Sequence, residues 1–121
     1  MGGTSASFYF KSTLAGVVQV TAGSTLTSPN QTETIVAGAA VSIAFLGTPQ
    51  TVTAGACSAT LTVQARDVNG NAAAVGTATG VTLTSLAAGV TFFGTTNCSA
   101  ASTTTGTIAS GQSQVTFSAQ A

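Results

Sequence analysis

Apolar and small polar residues alternate along most of the chain, and no stretch repeats its apolar positions every 3.6 residues between helix caps. A period of two sends successive side chains to opposite faces of an extended strand, so the pattern predicts half-buried strands. Threonine and valine alternate with small residues, and turn signals interrupt them about every ten residues, the signature of an all-β sandwich. Ten short strands are expected, at 6–12, 16–22, 31–37, 41–47, 50–55, 58–66, 80–86, 90–94, 103–109 and 113–120.

Two of these resemble each other. The opening "SASFYFKSTLAG" alternates Ala6, Phe8 and Phe10, and the closing "SQVTFSAQA" alternates Val115, Phe117 and Ala119. Phe8 and Phe117 stand 109 positions apart, so the chain reads as one repeat carrying both ends of its cut. The clearest turn is "RDVNGNAAAV". Asp67 can bond the backbone two residues on, Asn69-Gly70 supplies left-handed positions, and Asn71 ends the reversal. A calcium loop is the rival reading, but such a loop needs further carboxylates and a bidentate Glu, and none follows.

Composition narrows the chemistry. At 121 residues the chain is one domain by length and can build a core without a metal. Only 3% of residues are charged, namely Lys11, Glu33, Arg66 and Asp67, and the net charge is zero. Without a basic face no nucleic-acid partner is expected. No apolar run approaches the roughly 20 residues of a spanning helix, so no membrane insertion is expected. A hydroxyl- and methyl-rich surface at zero net charge offers little repulsion between copies and favours association; drift within a secreted repeat is the other reading. Arg66 and Asp67 are expected to be solvated turn charges without an ion pair.

Cys57 and Cys98 suit one disulfide, which would close a loop of about 40 residues and contribute roughly 3 to 4 kcal/mol. Two buried free thiols in a cytosolic domain are the alternative. The pair is not CxxC, and without histidine there is no zinc ligand set, so neither a metal nor a cofactor is expected. Disulfide use points outside the cytosol, although the leader "MGG" is too short and polar for a signal peptide.

No catalytic residue stands out. The serines lack a base, and Glu33 with Asp67 would have to meet for paired-carboxylate work. An isopeptide crosslink would join Lys11 to an asparagine beside a buried carboxylate such as Glu33; an exposed edge lysine is the ordinary reading. Threonine stripes such as "TATGVTLTS" suggest ordered water as in ice-binding proteins, but their spacing is irregular and threonine is a good strand former. The sequons at Asn30 and Asn97 matter only in a eukaryotic secretory host.

From Gly47 to Asn71, "GTPQTVTAGACSATLTVQARDVNGN" resembles the opening of bacterial immunoglobulin-like repeats of the invasin and intimin type, in which a cysteine-bearing strand is followed by a D-x-x-G-N turn. "VTLTS", the second cysteine, "TIASGQSQVTF" and "AGVVQVTA" resemble the family in type, though in shuffled order. The resemblance implies an immunoglobulin-like β-sandwich, circularly permuted, that serves at a cell surface or outside the cell as spacer, adhesin or fibre module with no enzymatic site. The family's usual scatter of charges is absent here.

The expected organisation is therefore residues 1–38 as closing strands and 39–121 as the sandwich body. A body lacking its last strands exposes a sheet edge that templates another chain. Residues 13–38 would cover it, either from a neighbouring copy, giving a head-to-tail fibre, or by folding back in cis. A third alternative is that the chain is a window on a longer tandem array. Phe8, Phe10, Val17, Val18, Val20 and Ile35 are the expected donor residues, with Tyr9 facing away. The expected partner is the chain itself as oligomer or polymer, with a surface or host ligand as the second candidate.

Overall fold

The structure, a computed structural model, describes residues 3–121, which fall into two compact units, one ending at Ala37 and the other running from Gly38 to Ala121. All regular structure in the described residues is strand.

In the first unit β1 (Gly16–Thr21) and β2 (Asn30–Ile35) form an antiparallel hairpin, in register from Gly16 opposite Ile35 to Thr21 opposite Asn30. The Ala22 amide extends the ladder to the Pro29 carbonyl at 3.0 Å. With side chains alternating, Val18, Val20 and Ile35 share one face with Gln31 and Glu33, and Val17 lies on the other with threonines.

The second unit holds β3 (Ser42–Leu46), β4 (Leu61–Arg66), β5 (Thr79–Thr82), β6 (Thr91–Phe93), β7 (Thr105–Ile108) and β8 (Gln114–Gln120). One sheet has the order β3-β4-β8-β6 and a second pairs β5 with β7, all antiparallel. Register places Ile43, Phe45, Leu61, Val63, Ala65, Val115 and Phe117 on one face of the larger sheet. Val63, Ala65 and Phe117 meet Val75, Val81, Leu83 and Ile108 in a single buried cluster, so the two sheets face each other across it. Thr62, Gln64 and Arg66 point the other way, which is the alternation expected of a sheet with one buried face.

Two of the ten expected strands are not formed. Residues 6–12 join no ladder among the described residues, and Phe8 and Phe10 are exposed instead of half-buried. Alternating aromatics favour a strand only where a neighbour takes the backbone hydrogen bonds. In 50–55 a turn closes from Ala56 N to Thr53 O at 2.9 Å, with Gly55 at φ +83°. Here the Gln50 side chain replaces a ladder: its Oε1 accepts from Ala59 N at 2.9 Å and its Nε2 donates to the Ala59 carbonyl at 3.2 Å.

The two sheets meet closely at Gly106. A Cβ at that position would lie 2.5 Å from Cζ and 2.8 Å from Cε1 of Phe117, whose side chain is fully buried. The ring therefore occupies the space of the missing side chain. Gly106→Val is expected to overpack this contact and cost about 1 to 3 kcal/mol, read as a lower urea midpoint with unchanged m-value. Thr107→Val, on the neighbouring exposed position, should leave the midpoint close to wild type.

Candidate functional site

The side chains singled out by sequence fall into three places. The hairpin residues carry apolar groups into solvent: Val17, Val18 and Val20 are exposed and Ile35 is half-buried. Phe8, Tyr9 and Phe10 line an open groove of about 350 Å³ with Val20, Gln31 and Glu33, on the hairpin face that bears Val20, and all three aromatic side chains stay exposed. Phe8, Phe10 and Val20 are thus brought together, Val18 and Ile35 share their face, and Val17 is on the opposite one. Lys11 is exposed, and Glu33 accepts a hydrogen bond from the Gln31 amide, so the buried lysine and carboxylate that an isopeptide bond requires are not assembled.

Cys57 and Cys98 are joined, with Cα atoms 5.9 Å apart, and the free-thiol alternative falls. The bridge spans the C-terminal half of β8. On one side Ser58 takes up both backbone groups of Ala119, its amide donating to Ala119 O at 2.8 Å and its side-chain Oγ accepting from Ala119 N at 2.9 Å. On the other, Cys98 N donates to Ser118 Oγ at 3.1 Å, and Ser118 Oγ donates to Thr95 O at 2.6 Å. Cys98 sits at φ +55°, a left-handed conformation that costs a residue with a β-carbon roughly 1 to 2 kcal/mol. The disulfide and the Ser118 bond hold it there.

Asp67 corrects the expectation of a solvated charge, because it is only 4% exposed. Its Oδ1 accepts from the amides of Asn69 and Asn71, both at 2.9 Å, and its Oδ2 from Gly38 N at 2.9 Å and the Asn71 side chain at 3.0 Å. Gly70, at φ +86°, completes the reversal by donating to the Asp67 carbonyl at 3.1 Å. The Asn71 side chain, then the Gly38 amide, stabilise the carboxylate and lower its pKa from 3.8 to about 2. Arg66 turns away, its Nε donating to Gln64 Oε1 at 3.1 Å. All these groups anchor the turn to the start of the second unit, and none is left over for chemistry.

A fourth place was not singled out by sequence. Ile43 and Phe45 on β3 stand opposite Ala65 and Val63 on the core-facing side of the sheet. Ala65 and Val63 are 1% and 3% exposed, whereas Ile43 and Phe45 are 51% and 63% exposed. A groove of about 120 Å³ opens there, floored by these two side chains and walled by Val81, Thr82 and Leu83 at β5. The smaller sheet reaches across β4 but not across β3. The run Val41, Ile43, Phe45 was visible as an apolar alternation, but only topology reveals that it has no opposing strand.

Among the described residues no three His, Cys, Asp or Glu gather at one point, and no helix is long and apolar enough to cross a membrane. Comparison with protein-family models, with curated proteins and with solved structures finds no match to this chain.

Two outcomes follow. A group with a depressed folded pKa stabilises above its unfolded value and loses that contribution as pH falls through the folded value. Asp67 should therefore stabilise fully at neutral pH, less below 3.8, and hardly at all once pH passes below about 2. Urea titrations should show Asp67→Asn much less stable than wild type at pH 7 and nearly equal to it at pH 1.5. Replacing both cysteines by serine should cost roughly 3 to 4 kcal/mol, the loop-closure value for their 41-residue separation, in the same assay.

Proposed function

We propose that the protein is a non-enzymatic structural subunit of an extracellular bacterial fibre, an immunoglobulin-like sandwich assembling head to tail by β-strand complementation. The observation that carries this reading is the pairing of an open core with a separate apolar hairpin. The body leaves Ile43 and Phe45 half or more exposed, and the first unit offers Val18, Val20 and Ile35 on one strand face. A surface with 3% charged residues fits such packing, and the Cys57–Cys98 bridge fits an oxidising compartment. The resemblance of Gly47 to Asn71 to invasin- and intimin-type repeats supplies the bacterial surface context and the permuted order.

A spacer or adhesin domain of a longer surface protein is the second reading. It is favoured by the aromatic trio Phe8, Tyr9 and Phe10 in the open 350 Å³ groove, an arrangement suited to stacking on a ligand. The two readings differ in whether the chain polymerises unaided.

Negative-stain electron microscopy with light scattering on the non-reduced protein should reveal filaments with a repeat of a few nanometres. Phe8→Ala with Phe10→Ala should shorten them. A uniform particle of 11.6 kDa at every concentration would overturn the fibre reading and leave the spacer or adhesin.

A further inference from the structure

We infer that the groove over Ile43 and Phe45 is the acceptor site for the β1–β2 hairpin of a second copy, with the free edge of β1 pairing along the free edge of β5; this rests on the fibre reading above. Three observations lead to that occupant. β5 pairs only with β7, and β1 only with β2, among the described residues, so each presents one row of unpaired backbone groups. Joining them gives a sheet of order β2-β1-β5-β7, four strands to match β3-β4-β8-β6, and places β1 above β3, where the groove lies open.

The faces match as well. Of the two hairpin strands, β1 carries the valines and β2 is mostly Asn, Gln, Thr and Glu, so β1 suits the position over the core and β2 the rim. The face bearing Val18 and Val20 is exposed and so free to meet the acceptor, and the groove beside Val20 is lined by Phe8 and Phe10, which repeat the pattern of β8 109 positions later.

The size is sufficient. Laying β1 along β5 and over β3, with β2 at the rim, buries on the order of 1,000 Å² in total, the lower bound for a specific interface and suited to a contact repeated along a fibre. The contact is heterologous, one hairpin to one groove, and it leaves the donor with an unused groove and the acceptor with an unused hairpin, so it propagates.

The test uses the full chain in two variants. Ile43→Glu with Phe45→Glu disables the groove, and Val18→Glu with Val20→Glu disables the hairpin; all four positions are exposed, and an intact disulfide with a cooperative melt checks the fold. By sedimentation velocity, each variant should remain monomeric at concentrations where the wild type forms a ladder of oligomers. Mixed one to one, they should form a dimer and nothing longer, because only one groove and one hairpin in each pair remain competent. A groove variant that polymerises like the wild type would overturn this site while leaving the fibre reading intact. A wild type that never associates would overturn the fibre reading itself. Independently of any variant, hydrogen exchange on the unmodified protein should slow at Gly80 to Thr82 as concentration rises, and unchanged exchange there in assembled protein would rule the groove out.

Discussion

The second unit is organised by strand β8, and within β8 by one contact. Phe117 projects into the gap between the sheets and fills the space where Gly106 has no side chain, so the sheets come together at that point. Val63, Val81 and Ile108 then pack around the ring. Backbone hydrogen bonding reinforces the same place from both edges, because β4 pairs with the first half of β8 and β6 with the second. The disulfide ties the two flanking segments across it. Burial of a large aromatic, a laddered centre and a crosslink thus act at the same spot.

Strand β3 lies farthest from β8 in its sheet. That strand is paired on one side only, and its core-facing residues meet no second layer, although the same face of β4 one strand away is sealed. The first condition is that of any edge strand, and the second arises from the width of the smaller sheet, whose two strands do not reach over β3. An apolar side chain there is no different in chemistry from Val63, but it lacks the partner that would remove it from solvent. The hairpin of the first unit has the converse deficiency, with an apolar face and no body of its own, since two strands cannot enclose a core.

Local signals were read correctly where local physics decides the outcome. Period-two alternation marks eight of the strands because side-chain direction along a strand is a covalent matter. Asp67, Asn69 and Gly70 mark a turn because their side chains and backbone freedom act within five residues. The two strands that failed, 6–12 and 50–55, have the same alternation and the same β-prone composition, but a strand exists only with a partner, and partnership is a property of topology. Asp67 escaped for a related reason. Its fourth donor, Gly38, lies 29 residues away, and that long-range bond is what the reading of a solvated turn charge left out. Gly106 could not be singled out among 14 glycines, because its role depends on a ring eleven positions later. The groove was hidden in the same way, since Ile43 and Phe45 look like any buried pair.

Proteins ordinarily guard exposed sheet edges with lysine, proline or an inward charge, because an open edge pairs with whatever strand it meets. Strands β1, β3, β5, β6 and β7 contain none of these, and Glu33 on β2 is the only charge on any strand other than Arg66 at the end of β4. What limits indiscriminate pairing is brevity, since the four edge strands of the second unit run from three to five residues. A short, uncharged edge beside an apolar groove rejects long flat strands poorly but rewards one that brings its own apolar face. Selectivity then resides in shape and register, which a hairpin with two spaced valines can satisfy and an arbitrary strand cannot. In the proposed assembly the scarcity of charge and the open side of the core act together, and adding charge at the edge would protect the monomer at the expense of the proposed contact.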